Sequence, residues 1–244
     1  AGIIEVIFKC AIAVLLFESV QIGVIYLFYY TGIDYSIYEG LYIIIYSAIE
    51  IPLMFGLVKL FGYTEKKKLL KTTKPDSGSI IMALIVGAGL LGIVAIYISI
   101  TRYIGENASD TVNQAVEEYS QAMDRYQYAE KDVIPAWDHW LNFFGTFMLV
   151  PMAEELLFRG LVQGEFERKM PPWLAVILAS SVFGILHGIS VQIGYAIMCG
   201  VILGFVYMFC DSIWASYTVH AVFNFFGASL YSLLESGVLN TSED

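Results

Sequence analysis

Seven stretches of this sequence are apolar for about the 20 residues that a helix needs to cross roughly 30 Å of hydrocarbon. They fall at 3–30, 41–63, 79–101, 134–166, 172–189, 191–210 and 213–235, bounded by charges and turn residues. Composition agrees, since 58% of the 244 residues are hydrophobic and 15% charged, against roughly 45–50% and 25% in soluble domains. Mean hydropathy is +0.68. A water-soluble globule does not fit these values, and the fold class they point to is all-α, a polytopic membrane helical bundle. Pro151 lies inside the fourth block and is expected to kink or split that helix. Tyr29, Tyr30, Tyr35, Tyr38 and Trp173 stand at block ends, where amphipathic rings suit the membrane interface.

Charge adds orientation and removes one class of partner. The net charge is −10, which leaves no broad basic surface for phosphate backbones and excludes nucleic acid. Lys66, Lys67, Lys68, Lys71 and Lys74 crowd the short linker 64–74, and lysine-rich short loops stay on the cytoplasmic side. The acidic segment 102–133 then faces outward, with a surface helix expected around 110–131 on the spacing of Val112, Ala115, Tyr119, Ala122 and Tyr126. The amino-terminal block carries Glu5, Lys9 and Glu18 and runs past residue 28, so it reads as a first span rather than a signal peptide. Cys10, Cys199 and Cys210 lie in apolar stretches without C-x-x-C spacing and read as core. No second domain or repeat is visible, so 1–244 reads as a single membrane domain.

Gly87-Ala88-Gly89-Leu90-Leu91-Gly92 fits G-x-G-x-x-G, but no strand precedes it, and close approach of helices explains the small residues better than a nucleotide. H-E-x-x-H, G-x-S-x-G and P-loop signatures are absent. What remains is a set of ionisable residues in apolar spans, each costing at least about 2.5–3.5 kcal/mol to insert and so marking a functional site by default. The densest is Glu154-Glu155-Leu156-Leu157-Phe158-Arg159. At about 100° per residue Glu155 and Arg159 share a face, whereas Glu154 lies about 140° from Arg159. Glu155 therefore pairs with Arg159, and Glu154 is left free to take a proton from water.

Phe183-x-x-x-His187 closes the fifth block, and His220-x-x-x-Asn224 lies in the seventh. Each alone reads as an interhelical hydrogen-bond partner. Their depth sets them apart: counting about 1.5 Å per residue, Glu154 and His187 each lie roughly 21–23 Å from the cytoplasmic helix ends, His220 roughly 13 Å and Asn224 roughly 20 Å. Three helices thus bring a carboxylate, an imidazole and an amide to one layer, with His220 a turn below.

E-E-x-x-x-R, F-x-x-x-H and H-x-x-x-N in this order resemble the CAAX-protease and bacteriocin-processing family of intramembrane proteases, which includes the Rce1 prenyl-protein endopeptidases. The resemblance covers about residues 140–230, and the first three spans carry no motif of this kind. It implies a fold of seven to eight transmembrane helices, with 134–235 as the catalytic helices and 1–133 as motif-poor spans plus the acidic segment. It also implies that Glu154 and His187 activate the hydrolytic water, that His220 and Asn224 steady the oxyanion, and that Glu155, Arg159 and Phe183 support the site. No cofactor is then needed. One carboxylate and two imidazoles are also an accepted catalytic zinc set, so Glu154, His187 and His220 stand as an alternative metal triad. The partners implied are membrane lipid and a peptide or lipidated protein substrate. Two rival readings are a transporter using Glu5, Glu18 and Glu50 and a non-catalytic scaffold or bacteriocin-immunity protein.

Overall fold

The computed structural model describes residues 2–64, 69–128 and 134–240. Lys66, Lys67, Lys68 and Lys131, which the sequence reading used, lie outside them. Eight helices account for most of the described chain. Helix α1 spans Ile3–Thr31, α2 Glu39–Thr64, α3 Ser77–Ala108 and α4 Asp110–Tyr128. Helix α5 runs unbroken from Ala136 to Phe166, α6 spans Pro172–Leu186, α7 Ser190–Cys210, and α8 covers 213–235. By length and hydropathy four helices qualify as membrane crossings: Glu39–Tyr63, Ser77–Ala108, Ala136–Phe166 and Ser190–Cys210. The chain is an all-α membrane bundle, as its apolar blocks imply.

One expected span takes a different form, and one expected break does not occur. Block 172–189 becomes a helix of 15 residues, shorter than a crossing requires. It stops because Gly188 adopts φ 76°, a left-handed conformation that glycine enters at little cost and that ends helices. His187 therefore caps the helix instead of riding within it. The chain turns straight into α7, and the two helices lie close together: a Cβ on Gly200 would come 3.0 Å from the Cβ of Ser180, and one on Gly184 would collide with Ile197. Pro151 neither splits nor ends α5, for a reason that belongs to the site.

The first three helices hold the others in place. Asp138, at the start of α5, accepts from the backbone N–H groups of Gly40 at 2.8 Å and Leu41 at 2.9 Å, so a side chain of α5 caps the start of α2, satisfying amides that a helix start leaves orphaned. Helix α3 crosses α8 at Gly87, where an added Cβ would sit 2.8 Å from the Val219 carbonyl oxygen; Gly89 and Gly92 have nothing within 4 Å. Of the three glycines in the G-x-G-x-x-G string, one makes the close approach that small residues permit. Helix α4 lays Val116 and Ala122 against the bundle, and its Tyr119 meets Tyr195 of α7 edge-on. The chain after α2 is tied to the α7–α8 turn, with Ile213 donating to the Lys71 carbonyl at 2.9 Å and Thr73 to that of Asp211 at 3.1 Å.

Candidate active site

Helix α5 changes its winding twice. Regular α-helix over Ala136–Phe144 gives way to a π turn over Gly145–Leu149, returns for Val150–Glu155, and widens again over Leu156–Gln163. Isolated π turns mark functional sites more often than chance. Here the first has a traceable cause. In a π turn the carbonyl of residue i accepts from the N–H of i+5, and Val150 does donate to Gly145. The next carbonyl, Thr146, would need the N–H of residue 151, which is proline and has none. Asn224 of α8 supplies the missing donor, its Nδ2 lying 3.0 Å from the Thr146 oxygen. The wide turn thus accommodates Pro151 without a break, and one of Asn224's two amide hydrogens is committed while the other stays available.

Glu154 and Glu155 close the short regular segment between the two π turns, and they differ as the helix angles imply. The Glu155 side chain is fully buried, and its Oε2 lies 3.3 Å from Arg159 Nε. Glu154 keeps 19% of its side chain accessible. Arg159 also donates to the Gly200 carbonyl at 3.3 Å and lies over the Phe183 ring at 5.4 Å, so the cation is held from three sides. A charge buried this deeply persists only when paired and hydrogen-bonded.

His220 stands between the two acids. Its Nδ1 is 3.1 Å from Glu155 Oε1, and its Nε2 is 3.5 Å from Glu154 Oε2. Sequence reasoning had Glu155 serving Arg159 alone; in the structure it joins Arg159 to His220, so the buried pair fixes the imidazole that faces Glu154. His187 sits apart. Its Nδ1 donates to the Phe183 carbonyl at 2.8 Å, which leaves Nε2 as the nitrogen with a free lone pair. Among the described residues no hydrogen bond or ion pair joins His187 directly to Glu154. Phe183 lies between the two histidines, edge-on to the His187 ring at 4.7 Å and to that of His220 at 6.1 Å. The structure thus brings Glu154, Glu155, Arg159, Phe183, His187 and His220 into one cluster and hangs Asn224 one turn beyond His220.

The alternative zinc triad fits this arrangement poorly. Among the described residues no three His, Cys, Asp or Glu side chains converge as ligands.

Sequence reasoning missed one contact. Asn224 to Thr146 was not foreseen, although a proline at the fifth place after a carbonyl was a usable signal. Glu50, one of the acids of the transporter reading, is fully buried on α2 and makes an interhelical contact, accepting from Gln21 of α1 at 3.0 Å.

An apolar cavity of about 270 Å³ opens between α2, α5 and the start of α8, lined by Ile51, Pro52, Phe55, Met152, Leu156 and Trp214 among others. Residues 135–226, which contain every motif residue described above, match the family model for type II CAAX prenyl endopeptidase, Rce1-like. No curated protein and no solved structure matches the chain significantly. The segment that builds the site is therefore similar to the type II CAAX prenyl endopeptidases of the Rce1-like kind, a likeness that covers residues 135–226 and not the helices before them.

Proposed function

We propose that the chain is an intramembrane endopeptidase that uses Glu154 as general base and needs no metal. One observation carries this reading: of two adjacent acids, one is buried in an ion pair and the other stays accessible beside an imidazole. Glu154 takes a proton from water as its oxygen attacks the scissile carbonyl, and the free nitrogen of His187 orients that water. The developing oxyanion accepts from His220 and from the uncommitted amide hydrogen of Asn224. When the C–N bond breaks, the proton on Glu154 passes to the leaving amine, so atoms balance without a cofactor. Glu155 and Arg159 hold His220 in place.

The substrate in this reading is the carboxyl terminus of a prenylated CAAX protein, whose lipid suits the apolar cavity beside Met152 and Leu156. The lysine-rich linker 64–74 then lies in the cytoplasm, where such substrates are presented, and the acidic segment 102–133 on the other side. A farnesylated, internally quenched CAAX peptide tests this with purified protein. Glu154→Gln should lower kcat by about 10²–10⁴-fold, the usual worth of a general base, with thermal stability unchanged. Wild-type rates in that variant would remove Glu154 from the chemistry. Equal cleavage of an unmodified peptide would remove the prenyl group from recognition.

A further inference from the structure

The bundle holds a second buried acid that the mechanism leaves unused. Glu50 lies midway along α2 and is fully buried. Its Oε1 accepts from Gln21 Nε2 at 3.0 Å, while its Oε2 has no hydrogen-bond partner among the described residues. Ser47, one helical turn earlier on the same face, is equally buried, and its hydroxyl also lacks a partner there. Two unsatisfied oxygens on one apolar helix face are unusual, because a buried polar atom without a partner carries the full cost of leaving water.

This face looks toward the catalytic turn. Glu50 interacts electrostatically with Glu154 of α5 and with Glu18 of α1, and Tyr46 on α2 senses both Glu50 and Glu154. The two helices run side by side, a Cβ on Gly145 meeting Ile43 and one on Gly160 meeting Val58, so Glu50 stands level with Met152, within a turn of Glu154. No cation faces Glu50 from these elements: Lys9 on α1 is paired with Glu5, and Arg159 on α5 with Glu155. Glu50 is therefore no member of a structural ion pair. Its Gln21 bond fixes one oxygen and leaves the other uncommitted, on the helix that packs along the catalytic segment of α5.

We propose that Glu50 is a positioning residue for the hydrolysis: anchored by Gln21, it receives one O–H of the substrate water on the α2 side of Glu154 while Glu154 takes the other proton. A water needs two to four polar partners to be held in place, and Glu154, Glu50 and the Ser47 hydroxyl supply them from two helices. Glu50 makes and breaks no covalent bond, so the hydrolysis keeps the atom balance given above. The proposal rests on the peptidase reading.

The test compares wild type, Glu50→Leu, Glu50→Gln and Glu154→Gln in the full chain, measuring kcat and KM on the farnesylated peptide and the midpoint of thermal unfolding. Leucine matches glutamate in bulk, and Gln21→Leu is made in the same variant so that no amide is left without its acceptor; replacing both partners of a buried polar pair is often neutral or stabilising. The expected result for Glu50→Leu is a kcat at least about tenfold lower with KM within about threefold, and an unfolding midpoint no lower than that of wild type. Glu50→Gln should recover most of the rate, since the amide keeps an acceptor oxygen and Gln21 can turn to accept from its NH2. A wild-type kcat in Glu50→Leu overturns the proposal. So does a fall in kcat that tracks a fall in stability and is not rescued by glutamine. If Glu154→Gln abolishes cleavage while Glu50→Leu cleaves normally, the role of Glu50 fails and the peptidase reading stands; a wild type that cleaves nothing overturns both.

Discussion

Gly87 carries no chemistry and lies in the motif-poor part of the chain, yet the structure gives it a calculable effect on the reaction. A Cβ at this position would stand 2.8 Å from the Val219 carbonyl oxygen and 2.8 Å from Val222 Cβ. Ordinary contact between such atoms is about 3.5–4.0 Å, so Gly87→Ala requires α3 and α8 to part by about 0.7–1.2 Å. The backbone carbonyl cannot swing aside as a side chain tip would, so α8 must move as a body. Val219 and Val222 bracket His220, which has only 3.1 Å and 3.5 Å to its two glutamates. Misplacement of a catalytic group by about 1 Å can cost on the order of 10²-fold in rate; a drop in kcat of roughly 10–100-fold is expected, with roughly 1–3 kcal/mol lost to overpacking. Gly89→Ala and Gly92→Ala are the controls, because neither Cβ would meet anything within 4 Å. Cleavage of the farnesylated peptide by all three variants decides the matter. If Gly87→Ala turns over like its controls, the view that α3 sets the position of His220 is refuted.

Three further outcomes follow from the packing. Arg159→Met leaves Glu155 buried without its cation, at a cost of about 3–5 kcal/mol, or a fall of roughly 6–20 °C in the unfolding midpoint for a chain this size; adding Glu155→Gln to it should restore most of that loss in a thermal scan. Asp138→Ala removes the acceptors for Gly40 and Leu41, a loss of about 0.5–2 kcal/mol typical of a helix cap, and amide exchange at those two positions should quicken. Asp76 caps α3, and the Ser79 backbone N–H holds its carboxyl below the usual value. Its contribution is therefore complete above the unfolded value of about 4 and is lost as the pH falls through the lower folded one, which exchange at the Ser79 amide should report.

Features that depend on one segment could be read from the sequence. Apolar length placed α1 at 3–30 against an observed Ile3–Thr31, and α7 at 191–210 against Ser190–Cys210. The division of labour between Glu154 and Glu155 was legible for the same reason, since residues four apart on one helix must meet whatever surrounds them. Features that need a second helix were not. The His220 bridge to Glu155 spans 65 positions, and no angle counted within a helix can reveal it. The π turn at 145–149 joins a local cause, the missing N–H of Pro151, to a remote remedy, Asn224, and only the first half is written nearby. For His187, depth was counted along a span that ends early; the glycine that follows it was the local sign.

The two widened turns of α5 make that helix behave as three shafts joined by offset couplings. The first length can keep its apolar stripe aligned with lipid and with α2, and the last its packing in the bundle, while the six residues between the couplings take a different heading. The aim of the two acids is thereby separated from the solvation of the helix that carries them. Substitutions that retune the lipid-facing stripe need not disturb the reaction, whereas deleting one residue from either coupling would turn both carboxyl groups away together.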